Sequence, residues 1–458
     1  MTRTPDPVKP LIAGLYEQAC VGNGSGAVTL WRHPEDRRLE ATSLNYWLNQ
    51  ARIAEQSGFD LFFFGDVLGV YDVYGGSGDA AIEGGTELPA LDPLEIIPAL
   101  AAHTTDLSFG ATVSTTYTQP FSHARRFSTL DHITSGRIAW NIVTSYLPNA
   151  AANFGLGAQR PHDDRYARAD EFLDVTYKLW EQSWDDGAVL ADRESGRFAD
   201  PALVRAIDHE GEHFRVKGPH LVTPSPQRTP VLIQAGWSPR GKQFAAKHAE
   251  VVFLGSSDVS EIRSGLADIR ALAEKEGRDG SQIRALAGLP VITGRTNDEV
   301  QRRIDEYQSY YQAAPQLAGY AGWSGIDYAA LGDDDPLPSA PGTNVATDHR
   351  QQTTRELRER FSKVTAFADE RFIGTPEKVA DAIAEFAHES GIDGFLLHQF
   401  VSPGSLEQFA ELIVPQLEKR GLIDPTARRT PFRSRLRDDG SARLPADHPA
   451  RRPLGARS

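Results

Sequence analysis

A chain of 458 residues, 40% of them hydrophobic, is long enough to bury a large core, either as several domains or as one α/β barrel. Its formal net charge of −14 argues against a nucleic-acid surface, which requires a basic patch or stripe. The single cysteine excludes an intramolecular disulfide and is typical of a reducing cytoplasm. Because the sequence has neither a signal peptide nor an apolar run of about 18 residues, we expect a soluble cytoplasmic protein without membrane contact.

Short runs rich in β-branched and aromatic residues alternate with longer amphipathic segments, as in βα units around a parallel sheet. Eight runs predict strands, at 11–17, 60–65, 107–114, 137–144, 230–236, 250–255, 285–293 and 394–400. Helical patterns lie near 42–57, 93–104, 122–134, 163–184, 239–248, 258–278, 296–313, 354–369, 375–390 and 404–419. Eight such units fit a (β/α)8 TIM barrel better than a doubly wound sheet, which usually has five or six strands. We therefore predict an α/β fold with one barrel over residues 1–424.

Four segments do not follow this repeat. Residues 67–92, 185–229 and 315–352 are predicted to be insertions, and insertions that follow barrel strands lie where barrel active sites are built. Residues 425–458 are rich in Arg and Pro and have few apolar anchors. This composition predicts either a solvated tail or an extended C-terminal arm that wraps a partner subunit.

An HExxH pattern spans residues 209–213, where two histidines on one helical face would bind zinc. Gly211 interrupts any helix here, and residues 214–219 are typical of a strand followed by a turn. We therefore predict a hairpin in an insertion, and no metal site. Residues 22–27 match a dinucleotide-binding fingerprint, but 28–35 lack the helix that it requires, which favours a loop over a site.

Residues 236–241 resemble a nucleophile elbow, but the second glycine comes one position too late for GxSxG, which disfavours a hydrolase. Ser238 is a good helix cap and Pro239 suits a first helical turn. A strand would thus run directly into a helix, whose free N–H groups and serine hydroxyl can hold a phosphate group. An ordinary capped helix is the alternative.

A series of ordered motifs then resembles the luciferase-like flavin monooxygenases of the nitrilotriacetate and dibenzothiophene-sulfone monooxygenase group. The motifs are 111–117 (Ala-Thr-Val-Ser-Thr-Thr-Tyr), 124–125, 129–132, 135–145 (Ser-Gly-Arg-Ile-Ala-Trp-Asn-Ile-Val-Thr-Ser), 153–155, 162–166 (His-Asp-Asp-Arg-Tyr), 169–172, 198–201, 208–209, 234–236 and 238–241. The resemblance extends from about Leu11 to about Leu422. It implies a luciferase-like barrel that inserts oxygen from O2, with reduced FMN (FMNH2) supplied by a separate NAD(P)H:flavin reductase, and a homodimer or homotetramer.

The resemblance also implies site residues. The positions that match the cofactor contacts of the family are Asp66, Thr112, Asn141, Thr144, His162, Tyr166, Gly236, Ser238 and Gly241. Asp66 would lie beside the flavin ring, and Ser238 would bind the phosphate. Most of these positions fall at the carboxyl ends of predicted strands, where barrel enzymes place their sites. For Thr112, Asn141 and Thr144 the alternative is hydrogen bonding within a buried end of the barrel.

The aromatic residues predicted to wall the substrate pocket are Tyr16, Phe63, Phe64, Trp237, Phe253 and Trp323, and each has a place in the core as its alternative. No histidine–aspartate spacing identifies a catalytic acid or base. The segment 26–33 departs from the family pattern, which leaves the substrate open. Without a placed basic cluster, we favour an aromatic, sulfur-containing or halogenated substrate. A deazaflavin F420-dependent dehydrogenase and a non-catalytic flavin-binding protein remain as alternatives on the same barrel.

Overall fold

Eight parallel strands form a closed barrel in the computed structural model, which describes residues 10–23, 28–338, 352–424 and 431–452. The strands are β1 (Ile12–Gln18), β2 (Leu61–Gly65), β3 (Ser108–Ser114), β4 (Ile138–Val143), β5 (Val231–Gln234), β6 (Val251–Leu254), β7 (Arg284–Pro290) and β8 (Gly394–His398). Each strand pairs with its neighbours along the chain, and β8 closes the barrel on β1, with Gly394 opposite Ile12. The predicted (β/α)8 barrel is confirmed, and every predicted run overlaps one barrel strand.

The strands are apolar along their length because both of their faces are covered. All five residues of β2 are buried. Leu61 and Phe63 point into the barrel, whereas Phe62 and Phe64 point outward to the helices. A strand between an interior and a helical layer therefore reads as a continuous apolar run rather than an alternating one.

Helices surround the barrel and continue into its insertions. They are α1 (Leu44–Gln56), α2 (Asp79–Gly84), α3 (Pro93–Ala102), α4 (Pro120–Ile133), α5 (Pro148–Asn153), α6 (His162–Tyr177), α7 (Pro239–His248), α8 (Val259–Lys275), α9 (Asn297–Tyr310), α10 (Ala313–Ser324), α11 (Thr354–Phe361), α12 (Pro376–Ser390), α13 (Gly404–Gln408), α14 (Val414–Lys419) and α15 (Phe432–Leu436). The helix predicted over 354–369 ends at Phe361, because the chain folds back and packs Phe367 on Phe361, with ring centroids 5.2 Å apart. No helix within the described ranges is long and apolar enough to cross a membrane.

Two of the three predicted insertions pack against each other above the carboxyl ends of the strands. Thr86 Oγ1 donates a hydrogen bond to the Pro315 carbonyl oxygen at 3.0 Å, and the Gly75 N–H donates to Asp327 Oδ1 at 2.8 Å. A short parallel pair, Ile292–Thr293 with Ile373–Gly374, lies beside α9. Residues 24–27 of the predicted glycine-rich loop and 339–351 of the third insertion lie outside the described residues.

The remaining insertion, 185–229, forms two antiparallel pairs, Val189–Asp192 with Arg197–Ala199 and His209–Glu210 with Arg215–Val216. The hairpin predicted at the HExxH pattern is therefore confirmed. Its His209 ring lies 3.1 Å from Glu171 Oε1, and the same carboxylate accepts the backbone N–H groups of His213 and Phe214. Glu171 on α6 thus fastens the hairpin to the barrel.

Residues 431–452 close the amino-terminal end of the barrel. Phe432 and Leu436 of α15 join the apolar interior beneath the strands, beside Ile12 and Leu61. Between them Arg433 is fully buried and donates to both Glu250 oxygens, at 2.8 and 2.9 Å. The prediction of a solvated tail is therefore wrong for these residues, because two apolar side chains and a paired arginine anchor the segment on its own barrel. Residues 425–430 and 453–458 lie outside the described part of the chain.

Candidate active site

A cavity of about 560 Å³ opens at the carboxyl ends of the barrel strands. Its barrel side includes Tyr16, Gln18, Phe63, Asp66, Thr112, Asn141, Ala235, Phe253, Gly288, Pro290 and His398. Its outer side comes from the two insertions packed above the strands and includes Glu87, Tyr320 and Trp323. The insertion 185–229 contributes nothing to it. A site that is roofed by insertions and floored by strand ends is the usual position of an active site in a TIM barrel.

Four nearly parallel rings form the floor of this cavity. The Tyr16 ring stacks on His398 at 4.5 Å between centroids, on Phe63 at 5.6 Å and on Phe253 at 6.3 Å. They project from β1, β8, β2 and β6, so their Cβ positions are fixed by the barrel itself. The predicted pocket residues Tyr16, Phe63 and Phe253 thus meet in one layer that separates the cavity from the interior of the barrel.

His398 is the polar member of this floor. Burial lowers the pKa of its imidazole to about 3, so the ring is neutral at physiological pH. Neither ring nitrogen has a hydrogen-bond partner among the residues that the structure describes. A Cβ added to Gly288 would lie 3.0 Å from His398 Nε2, so glycine at this position leaves room for the ring. A neutral imidazole here offers the cavity one donor and one acceptor.

Thr112 and Asn141 form a polar wall on β3 and β4. Thr112 Oγ1 donates to the Phe64 carbonyl oxygen at 2.8 Å and accepts from Asn141 Nδ2 at 2.9 Å. The Asn141 amide is thereby held with its carbonyl oxygen turned away from Thr112. That Oδ1 atom is buried and has no partner within the described part of the chain. A buried acceptor without a donor is costly, which marks the atom as a ligand contact.

Two carboxyl groups also line the cavity, Asp66 after β2 and Glu87 in the first insertion. Burial, with a smaller contribution from the Asp92 charge, raises the pKa of Asp66 to about 7. Burial also raises the pKa of Glu87 to about 7, although hydrogen bonds from Tyr71 and Gln18 oppose the shift. Both groups therefore change their protonation near neutral pH, which is a common property of active-site acids and bases.

A second polar feature adjoins the cavity where β5 runs into α7. Ser238 caps α7 and its Oγ accepts the Gly241 N–H at 3.0 Å, as the sequence predicts. His162 Nε2 lies 3.2 Å from the same Oγ, and the Tyr166 hydroxyl group also bonds Ser238. A Cβ on Gly236 would collide with that tyrosine oxygen. The free N–H groups of a helix, a serine hydroxyl and an imidazole thus converge on one point, which suits a phosphate group.

The cradle begins directly after a residue of the cavity, since Ala235 lines the cavity and Gly236 follows it in the chain. The structure therefore brings together eight of the nine predicted cofactor positions: Asp66, Thr112 and Asn141 in the cavity and His162, Tyr166, Gly236, Ser238 and Gly241 in the cradle. Thr144 is the exception. It is buried, and its carbonyl oxygen accepts from Thr116 Oγ1 at 2.7 Å, while its neighbour Ser145 lines the cavity.

Two predicted pocket aromatics lie elsewhere. Phe64 points to the helical layer, where its ring lies 5.6 Å from that of Trp47, because neighbouring residues of a strand face opposite sides. Trp237 packs against Gly265 of α8 and beneath the Lys242 ammonium group, at 5.0 Å from the ring centroid. The structure therefore places neither residue in the lining of the cavity, whereas Trp323 does line it.

His398, Glu87, Tyr71 and Tyr146 are not among the predicted site residues. His398 lies within the predicted run 394–400 and is the last residue of the observed strand β8, where the rule that strand ends carry site residues places such a group. Glu87 and Tyr71 carry no such signal, because they lie in an irregular insertion without a periodic pattern.

Comparison with known proteins agrees with this architecture. The family model described as luciferase-like monooxygenase matches residues 25–394. The chain belongs to the luciferase-like monooxygenase family, and it is a flavin-dependent monooxygenase. The resemblance recognised in the sequence motifs is thereby confirmed.

Two relatives and one solved structure define its neighbourhood. The chain is 45% identical to a long-chain alkane monooxygenase of Geobacillus thermodenitrificans, over 97% of this chain and 98% of the relative. It is 41% identical to a dimethyl-sulfide monooxygenase of Hyphomicrobium sulfonivorans, over 96% and 93%. A crystal structure of a riboflavin lyase with modified FMN and riboflavin superposes with a TM-score of 0.89 at 37% identity, over 96% of this chain and 99% of that chain.

Proposed function

We propose that this chain is the oxygenase component of a two-component system that uses reduced FMN and O2 to oxygenate a small apolar compound. A separate NAD(P)H:flavin reductase would supply the reduced FMN, and the cytoplasm would be the place of the reaction. We propose a homodimer or homotetramer as the working assembly.

One observation carries the proposal: a cavity lined by unpaired polar atoms lies beside a helix start that can cradle a phosphate group. Asn141 Oδ1 and the His398 ring nitrogens lack partners among the described residues. Ser238 and His162 converge at the start of α7. FMN joins a flat ring with polar edges to a terminal phosphate, so the two ends of the site fit the two ends of the cofactor.

In this proposal the protein residues bind and orient the cofactor and exclude water from the reacting atoms. Ser238, His162 and the N–H groups of α7 would hold the phosphate, and Asn141 would fix the ring through its amide oxygen. Reduced FMN, when bound, supplies two electrons and the capacity to react with O2. The aromatic floor and the insertion wall with Trp323 keep water from the reacting atoms.

The substrate that suits this enclosure is apolar. Aromatic rings cover its floor, and Tyr320 and Trp323 of the third insertion and Phe367 after α11 also line the cavity. We propose an aromatic substrate, sulfur-containing or halogenated, with a hydrocarbon as the second candidate. Relatives named for a long-chain alkane and for dimethyl sulfide support the choice of an uncharged substrate.

Product formation by the purified protein with FMN, NADH and an unrelated flavin reductase tests the proposal. The panel contains a dibenzothiophene sulfone, a chlorinated phenol, a long-chain alkane, dimethyl sulfide and, as a charged control, an aminopolycarboxylate. We expect an oxygenated product that requires the reductase and incorporates ¹⁸O from ¹⁸O2. A product from the aminopolycarboxylate alone would contradict the apolar assignment.

Two other outcomes would overturn the activity itself. Tight binding of oxidised FMN without any product would identify a non-catalytic flavin-binding protein. Binding of F420 in place of FMN, with hydride transfer to an alcohol-type substrate, would identify a dehydrogenase.

A further inference from the structure

A hydrogen-bonded chain of buried groups connects Glu87 with the cavity. The Tyr71 hydroxyl group donates to Glu87 Oε2 at 2.8 Å, and it lies 2.7 Å from the Tyr146 hydroxyl oxygen. Trp323 Nε1 donates to the same Tyr71 oxygen at 2.9 Å. Glu87 and Tyr146 both line the cavity, whereas Tyr71, which bonds to each of them, is completely buried.

Packing fixes the geometry of this chain. Tyr71 and Glu87 belong to the first insertion, Tyr146 follows β4, and Trp323 lies on α10 of the third insertion. A Cβ added to Gly322 would collide with the Tyr71 ring, so α10 lies directly on that ring and prevents it from turning. The chain of groups is therefore a rigid product of three distant segments rather than a chance contact at a surface.

The direction of the hydrogen bonds depends on the protonation of Glu87. The indole of Trp323 can only donate, so the Tyr71 oxygen always accepts from it. When Glu87 is ionised, it accepts from Tyr71, and Tyr71 accepts from Tyr146. When Glu87 is protonated, each bond reverses: Glu87 donates to Tyr71, Tyr71 donates to Tyr146, and the Tyr146 O–H is turned to the cavity. The two internal bonds are kept in both states, and only in the protonated state does the Tyr146 O–H become available to a group in the cavity.

The electrostatic surroundings place this switch near neutral pH. Burial is the main reason that the pKa of Glu87 lies at about 7, and the neighbouring Asp66 carboxyl adds to it. The charged or titratable groups that face Glu87 and the two tyrosines are Asp66, Tyr71, Tyr146, Tyr16 and the Cys20 thiol. Burial raises the pKa of Tyr71 and of Tyr146 well above 10, so they carry protons without being ionised themselves.

We propose that Glu87, Tyr71 and Tyr146 form a proton relay that delivers a proton to the oxygen atom released as water during oxygenation. This inference rests on the proposed function. In the overall reaction, one O2, one reduced FMN and one substrate give oxidised FMN, the oxygenated product and water. The two electrons come from the reduced FMN, and the oxygen that becomes water takes up two protons.

The relay supplies one of these two protons. The Glu87 O–H bond breaks as a new O–H bond forms on Tyr71, the Tyr71 proton passes to Tyr146, and the Tyr146 proton passes to the departing oxygen. Solvent returns a proton to the Glu87 carboxylate after the product leaves. In this relay Tyr146 is the catalytic residue, since it lines the cavity and would donate to the departing oxygen, and Tyr71 and Glu87 act through it.

Single-turnover product formation with four variants tests the relay. Glu87→Gln keeps the hydrogen bond to Tyr71 but has no acidic proton, and Tyr71→Phe and Tyr146→Phe interrupt the path. We expect each to slow product formation by about 100-fold, the lower range of general acid catalysis. The matched control is Tyr328→Phe, which removes a buried hydroxyl from the third insertion outside the cavity and should leave the rate unchanged. The wild-type rate should fall as pH rises through about 7, and this dependence should be absent in Glu87→Gln.

Infrared spectroscopy of the protein without cofactor provides a readout besides activity. Glu87 should contribute a protonated carboxyl band that disappears as pH rises through about 7. The difference between the wild-type and Glu87→Gln spectra separates this band from that of Asp66, whose pKa is also about 7. Because the Tyr71 hydroxyl stabilises the ionised carboxylate, Tyr71→Phe should move the midpoint of this band to higher pH. Tyr328→Phe should not move it.

The outcomes separate the two proposals. Absence of product from the wild-type protein overturns the proposed function and the relay with it. Wild-type activity that survives in Glu87→Gln with the same rate and pH dependence overturns the relay alone. A Glu87 band that does not titrate, or that ignores the loss of Tyr71, overturns it as well.

Discussion

The two ends of the barrel treat buried polar groups in opposite ways. At the amino-terminal end, the Arg433 guanidinium meets both oxygens of Glu250 and the carbonyl oxygens of Gln227 and Thr229. At the carboxyl-terminal end, Asn141 Oδ1 and both His398 nitrogens have no partner among the described residues. The polar groups named at the amino-terminal end stabilise the fold, whereas those named at the carboxyl-terminal end can bind a ligand.

This difference assigns stability and function to separate ends of one barrel, as is usual for TIM barrels. A satisfied buried network stabilises a fold, whereas an unsatisfied one costs free energy until a ligand supplies the missing partner. Substitutions at the amino-terminal end should therefore change the free energy of unfolding, and substitutions at the carboxyl-terminal end should change flavin binding.

The largest effect is expected from Arg433→Met, which fills similar volume but leaves the Glu250 carboxylate buried and unpaired. Removing one partner of a buried ion pair costs about 3–5 kcal/mol, so the free energy of unfolding should fall by that amount. Urea denaturation followed by circular dichroism measures it. As the control, Arg295→Ala breaks an ion pair to Glu411 that is exposed on both sides and should cost less than about 1 kcal/mol. Equal losses in the two variants would refute the assignment of the C-terminal segment as a structural plug.

The next effect is a pH dependence of stability that originates at the cavity. Glu87 ionises near pH 4.5 in the unfolded chain but near pH 7 in the folded one. Between these values the unfolded chain binds fewer protons, so the free energy of unfolding should decrease as pH rises, by about 3 kcal/mol for Glu87, and should level off above pH 7. Asp186 contributes in the opposite direction. A hydrogen bond from Arg228 lowers its pKa, so its contribution to the free energy of unfolding increases as pH rises.

Denaturant titrations of wild type and Glu87→Gln from acid to neutral pH measure this contribution as the difference between the two curves. The difference should grow with pH up to about 7 and then stay constant. A difference that is independent of pH would mean that Glu87 has the same pKa in the folded and in the unfolded chain.

The sequence predicts the barrel because each strand is buried on both faces and so forms a contiguous apolar run, bounded by amphipathic helices. It does not predict which side chain of such a run points inward. The three phenylalanines of β2 are equivalent in the sequence, and only the pairing register places Phe63 in the cavity floor and Phe64 in the helical layer.

Local chemistry explains which parts of the site were predictable. Ser238 and Pro239 predict the start of a helix from local sequence alone, and in the structure Ser238 is the N-cap of α7. Glu87, Tyr71 and Trp323 come together only through the packing of two insertions more than 200 residues apart. Nothing in either insertion alone indicates that contact. Residues 431–452 were not predictable either, because their arginine-rich composition does not indicate that Phe432, Arg433 and Leu436 are buried.

The substitutions Ser238→Ala and Thr296→Ala compare a helix cap in the candidate site with a helix cap outside it. The loss of the cap should lower the free energy of unfolding by about 1 kcal/mol, and the loss of the hydroxyl should weaken FMN binding by about 10-fold or more. Thr296→Ala is the matched control, because Thr296 caps α9 through the same side-chain bond, to Glu299 N–H, and does not line the cavity. It should cost the same stability and leave FMN affinity unchanged. Fluorescence titration of FMN and denaturation of both variants measure the two effects, and an equal loss of affinity in both would exclude Ser238 as a phosphate ligand.

Asn141→Leu is expected to have the smallest effect on the free energy of unfolding, and it tests most directly whether the two ends of the barrel differ. The substitution removes an amide whose oxygen has no partner among the described residues and whose nitrogen donates one bond, to Thr112. The free energy of unfolding should therefore change by less than about 1 kcal/mol, while FMN affinity falls by about 5-fold, the equivalent of one hydrogen bond.

Gln227→Leu at the opposite end removes an amide that donates to Asp131 at 2.7 Å and to the Ile138 carbonyl oxygen at 2.8 Å. It should lower the free energy of unfolding and leave FMN affinity unchanged, because the two bonds that this amide donates connect it to α4 and β4 at the end of the barrel away from the cavity. The reverse pattern in the two variants would show that the ends of the barrel are not divided in this way.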